Sequence, residues 1–227
     1  MTILTSEPER NASIETRRPR PAHFRRYTSL GAVIHMLQTK QITLLNPASW
    51  DDKNDAHFMA EYKRKKGFET VLALCIAQTS ETYHHWRVFA DGPDGVCIEF
   101  DRDPIIEGLL AHEGVTGGAV EYRKIADVRT AKAVQLNDLP FIKRYPYSGE
   151  REYRFVYCNE TDAKPAANFP ISLGWIRRIT LSPWMAPVFR DSIKTTLKSI
   201  SGCEKLKVFR STLVGNSEWQ AVTNRVT

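Results

Sequence analysis

Apolar and polar positions change period along the chain often enough to divide it into short elements. Leu30, Val33, Ile34 and Leu37 recur at i, i+3, i+4 and i+7, which predicts a helix capped by Ser29 and preceded by a short strand over 23–27. Residues 41–45 read as a strand stopped by Asn46-Pro47, and an acidic loop follows over 50–55. A helix is expected over 56–66, because its basic end Lys63-Arg64-Lys65-Lys66 and the following Gly67 suit the negative pole and left-handed exit of a helix. Residues 71–77 are apolar throughout, the pattern of a strand covered on both faces. Beyond them the pattern predicts a helix over 80–90, strands over 96–100 and 119–124, and a short helix over 105–111. A polar loop over 161–168 and a strand over 175–181 follow, then a helix opened by Ser182-Pro183 and a last strand over 206–209. Strands and helices alternate early, yet the helices are short and the strand spacing uneven. The expected fold is therefore α/β (α+β), a single domain over 22–227 with a mixed, partly antiparallel sheet and short helices packed on it. Residues 1–21 are polar, rich in Arg and Pro and aperiodic, and are expected to form a flexible basic tail.

The stretch from Tyr147 to Tyr157 combines a strand pattern with clustered chemistry. Alternation puts Glu150, Glu152 and Arg154 on one face and Tyr153, Phe155 and Tyr157 on the other. The aromatic face reads as core. Two carboxylates and a guanidinium in one patch are costly to bury and useful on the floor of a cleft. The competing reading is a solvated face of an edge strand whose charges pair along it.

Composition narrows the function classes only slightly. The 227 residues are 42% hydrophobic and 26% charged, ordinary for a globular chain, with a formal charge of +6. Half of that excess lies in residues 1–26, where a solubilising tail and a polyanion-binding arm are both open readings. The four cysteines are far apart and without CxxC spacing, as buried free thiols in a reducing, cytoplasmic setting would be. No apolar run is long enough to span a bilayer. Asp51, Asp52 and Asp55 are the weak alternative for a metal site, but their spacing matches no ligand template, and no metal is expected. The chain also lacks a GxSxG elbow, a P-loop and a GxGxxG turn.

Four ordered pieces carry a family resemblance: Phe24-Arg-Arg-Tyr27-Thr-Ser, Leu44 through Asp55, Trp86 through Phe100, and Gly149-Glu150-Arg-Glu152-Tyr-Arg154. Over residues 23–211 the chain resembles a mainly bacterial family catalogued as domain of unknown function 2971, departing from it at Trp50-Asp51 (usually Phe-Asn) and at Phe89 (usually Tyr). In motif order it is also similar, more distantly, to ADP-ribosyltransferase domains. That second resemblance implies an enzyme using NAD or a related nucleotide. Arg26 would hold the dinucleotide, Tyr27 or Trp86 would stack on it, Glu152 would be the catalytic carboxylate, and Glu150 and Arg154 would orient it. A nucleic acid or a protein would be the acceptor. The alternatives from other classes are a nucleic-acid-directed, metal-dependent hydrolase or binder and a non-catalytic interaction module.

Overall fold

The computed structural model describes residues 22–90, 92–130 and 134–225, so the expected tail over 1–21 lies outside the described residues. Among the described residues eleven strands and seven α-helices follow in chain order. The first half contains β1 (His23–Ser29), α1 (Leu30–Thr39), β2 (Gln41–Leu45), α2 (Lys53–Lys66), β3 (Thr70–Ala77), α3 (Tyr83–Phe89), β4 (Gly95–Asp101) and α4 (Arg102–Leu110). The second contains β5 (Val115–Ala119), β6 (Glu121–Arg123), α5 (Ile125–Thr130), β7 (Ile142–Arg144), β8 (Glu152–Asn159), β9 (Ala166–Pro170), β10 (Ile176–Leu181), α6 (Pro187–Ser199), β11 (Val208–Arg210) and α7 (Ser217–Gln220). This is the expected mixed α/β single domain, and its main sheet is antiparallel apart from the β10–β11 pair.

The sheet is organised by β3. Along one edge it pairs with β8 over its whole length, from Thr70↔Asn159 to Ala77↔Glu152, and β8 pairs in turn with β5. On the other edge β3 meets two different strands at single points, β1 at Arg25↔Ala77 and β2 at Leu45↔Ala73. β1 then leads away through β4 and β10 to β11, while β2 leads to β9. The sheet therefore forks beside the middle of β3. An apolar core including Phe24, Leu37, Leu74, Ile98, Phe100 and Phe155 fills one side.

Local chemistry fixes the element ends. The Ser29 side chain accepts from the Ala32 N–H, and Asp52 accepts from the N–H groups of Asn54 and Asp55. Gly67 ends α2 at φ 72°, a conformation open to glycine without steric cost. Several boundaries differ from the sequence reading. α2 opens at Lys53, so Asp55 belongs to its first turn rather than to an acidic loop. α6 opens at Pro187 rather than at Ser182-Pro183, since the Ser182 hydroxyl is engaged with the Gly92 carbonyl and the Trp184 N–H. Gly117 and Gly118 sit inside β5, where their missing side chains admit the rings of Tyr153 and Phe141, and part of the expected 161–168 loop is β9. Arg25 and Arg26, counted with the basic end by charge alone, are interior residues of β1.

Candidate functional site

The fork in the sheet opens a cleft with about 240 Å³ of free space, lined by Arg25, Arg26, Tyr27 and Thr28 of β1, Cys75 of β3, and His85, Phe89, Glu150 and Glu152, among others. A second cavity of about 440 Å³ shares Trp50, Cys75, Phe89, Glu150 and Glu152 with the first and continues to Asp51, Asp52, Lys143 and Tyr147. The two carboxylates thus stand where the cavities meet.

β8 is an interior strand, paired on both edges, so the edge-strand reading of its charged face does not hold. Glu152 is 5% exposed and Arg154 is fully buried. All five N–H donors of Arg154 are spent. Nε and Nη2 donate to the two Glu152 oxygens at 2.8 and 3.1 Å, Nη1 and Nη2 donate to Asp55 at 3.0 and 2.8 Å, and Nη1 also donates to the Pro140 carbonyl at 2.7 Å. The Trp50 ring covers the guanidinium at 4.7 Å. Arg154 is therefore a bracket behind Glu152 with no donor left for a ligand.

Glu150 is the last residue of a 3₁₀ turn, Tyr145–Glu150, rather than part of the strand, and Arg151 joins it to β8 at φ 47°. The Lys143 ammonium lies 2.7 Å from Glu150, and 3.6 Å from both Asp55 and Glu152. Three carboxylates thus share two cations. Burial raises the Glu150 and Asp55 carboxyls above their ordinary values, against the pull of Lys143 and Arg154 respectively. Burial also pushes Glu152 upward, but Arg154, Lys143 and a hydrogen bond from the Cys75 thiol outweigh it and hold that carboxyl below its ordinary value. The two glutamates are driven apart: Glu152 stays ionised, and Glu150 is the one suited to exchange a proton.

His85 ties the Glu150 turn to α3. Its Nε2 lies 3.0 Å from the Glu150 carbonyl, which can only accept, so Nε2 carries the proton and Nδ1 accepts from the Thr82 hydroxyl at 2.6 Å. Burial lowers the His85 pKa and keeps the ring neutral.

Arg26 is the contrasting cation. It is partly exposed in the cleft, and among the described residues no carboxylate or hydrogen-bond acceptor pairs with it. Burial lowers its pKa to about 10, which leaves it charged at neutral pH. Tyr27 also lines the cleft, its ring 5.2 Å from both His85 and Trp86.

The structure thus brings Arg26, Tyr27, Glu150 and Glu152 to one cleft. Trp86 and Arg154 stand behind its walls. Trp86 is fully buried, with its indole N–H on Glu81, and offers no ring face to a ligand, whereas Trp50 and Phe89 do line the cleft. The aspartates proposed as a metal alternative, Asp51, Asp52 and Asp55, all line the second cavity, but two of them are committed elsewhere. Asp52 caps α2, Asp55 is held by Arg154, and among the described residues no group of three His, Cys, Asp or Glu is placed to hold a metal ion. Sequence reasoning missed Cys75, His85 and Trp50 as parts of this site, and named Asp55 only as a metal alternative, not as a partner of Arg154.

Comparison with solved structures finds Thermus sp. 2.9 DarT in complex with NAD+, at 8% identity and TM-score 0.44 over 85% of this chain and 96% of that chain. The same protein in complex with ADP-ribosylated ssDNA matches at 10% identity and TM-score 0.44 over 84% of this chain and 94% of that chain. At this distance the likeness carries no argument about activity. No family model matches the chain, which leaves the resemblance to family 2971 without further support. No curated protein matches either.

Proposed function

We propose that the cleft binds NAD or a related dinucleotide as a substrate and breaks its ribosyl bond, an ADP-ribosyltransferase-like activity with a nucleic acid or protein acceptor. One observation carries the reading: a charged, unpaired Arg26 and an ionised, bracketed Glu152 line the same small cleft. A guanidinium that lines a cleft without a protein partner keeps its donor fork free for an anion, and a pyrophosphate suits that fork. Tyr27, Trp50 and Phe89 supply aromatic wall for a flat ring.

Such a dinucleotide supplies a glycosidic bond whose cleavage develops positive charge on a ribose. Glu152 contributes a fixed negative charge that needs no reorganisation, since Arg154, Lys143 and Cys75 already hold it. Glu150, with its raised pKa and an ammonium at 2.7 Å, is the group to take the proton of an incoming acceptor. His85 keeps the Glu150 turn in place through the carbonyl.

The test is nicotinamide release from NAD, measured with DNA, RNA and protein acceptors. The Glu152→Gln variant keeps the side-chain shape and is expected to lose about 10²–10³ in rate, the magnitude typical for removing one electrostatic stabiliser of a transition state. Release that is absent with every acceptor, or unaffected by Glu152→Gln, overturns the reading.

A further inference from the structure

On β4, Glu99 gathers more positive charge than it can neutralise. It is 3% exposed and lies 2.5 Å from Arg25 Nη2, 3.1 Å from Arg178 Nη2 and 3.3 Å from Arg177 Nε. Arg25 and Arg178 are its cross-strand neighbours on β1 and β10. Arg177 should not be there, because consecutive side chains of a regular strand face opposite ways. A shift in register between Ile176 and Arg178 makes Arg177 the extra residue of a bulge, and both guanidiniums reach the same carboxylate.

Stability gives no reason for the third arginine. An ion pair made by a half-exposed guanidinium adds little net stability, and a guanidinium added to a carboxylate already paired also meets its neighbours' charge. The cluster keeps a surplus of two positive charges and spare donors. Arg25 spends Nη1 on the Thr79 carbonyl, but among the described residues Arg178 has no hydrogen-bond acceptor besides Glu99, and Arg177 meets Glu99 only as an ion pair and has no hydrogen-bond acceptor. The Arg177 and Arg178 side chains are 54% and 43% exposed, so the cluster is open to solvent, while Arg25 also lines the cleft.

We propose that Arg25, Arg177 and Arg178 form a phosphate-binding site that adjoins the cleft through Arg25 and takes a phosphoryl group carried by the nucleotide or oligonucleotide that enters it. Glu99 fixes the three forks in place, and the phosphoryl oxygens accept from the donors it leaves over. The site requires no bond cleavage, so it is tested by binding alone and does not fail with the transferase reading.

The experiment uses two pairs of probes that differ by one phosphate: NADP+ against NAD+, and a 3′-labelled hexathymidylate with and without its 5′-phosphate. Affinities are measured for the wild-type chain and for the double variant Arg177→Ala, Arg178→Ala, whose altered side chains are half-exposed and whose fold is checked by thermal melting. The wild type is expected to favour the phosphorylated member of one pair by about tenfold, roughly the contribution of a hydrogen bond to a charged group. The double variant is expected to lose that preference while binding the unphosphorylated member as the wild type does. The pair that discriminates identifies the source of the phosphate. If neither pair is distinguished, or if the preference survives in the double variant, the site is refuted.

Discussion

Two clusters of carboxylates and cations are anchored on strands of the main sheet, at Arg154 of β8 and Glu99 of β4, with opposite surplus. Around Arg154, three buried carboxylates share two cations, every guanidinium donor is spent, and the excess is negative. Around Glu99, three guanidiniums share one carboxylate, donors are left over, and the excess is positive and open to solvent. The difference separates two uses of the same residue types. A closed network fixes one carboxylate in its ionised form and raises the pKa of its neighbour, whereas an open one leaves hydrogen-bonding capacity for a ligand.

The comparison is broken most severely by removing the bracket. Arg154→Met leaves Glu152 and Asp55 buried without their main partner and is expected to cost about 3–5 kcal/mol in urea unfolding. A change near that of a surface pair would mean that the cluster is not the closed network described. Next in size is the proton exchange at Glu150. Because its pKa is raised above the ordinary 4.5, its proton-accepting form appears only as pH rises through a value above 4.5. The rate of nicotinamide release should show that rising limb, and Glu150→Gln should abolish the limb and slow the reaction at neutral pH by about 10², the lower end for general-base catalysis. A limb that survives in the variant assigns the proton to another group. The smallest effect belongs to the open cluster, where Arg177→Ala should change unfolding free energy by no more than about 0.5 kcal/mol. A loss of several kcal/mol would make Arg177 a structural residue and remove the contrast.

Much of this was legible along the chain where the relevant contacts are local. The alternation of Tyr153, Phe155 and Tyr157 against Glu152 and Arg154 identified β8 and its charged face, and the Ser29 cap located α1. What could not be read depends on contacts across long sequence separations. Asp55 reaches Arg154 across 99 positions, and only the fold turns an acidic stretch after Trp50 into a helix start that docks on β8. The resemblance put Trp86 at the cleft as a stacking ring, yet residues distant in sequence make it core, where it packs with Tyr27 of β1, Ala77 of β3 and Cys97 of β4. The positive cluster was hidden by a bulge, because strict alternation assigns Arg177 and Arg178 to opposite faces. Its signal in the sequence is only the pair of adjacent arginines before an apolar strand end.

The fork beside β3 can also be counted in backbone valence. Gln78 donates its N–H to the Arg151 carbonyl, which sets the phase of the β3–β8 ladder and turns the N–H and C=O of Ala73, Cys75 and Ala77 toward the opposite edge. β2 meets β3 at Ala73 and β1 meets it at Ala77, but neither ladder reaches Cys75. One residue's donor and acceptor therefore face the gap between two strand ends, in a slot of about 13 Å by strand rise. Whatever enters is offered the complement of a single peptide unit, with the Glu152 side chain beside it, and a planar amide can satisfy that edge as a missing strand would.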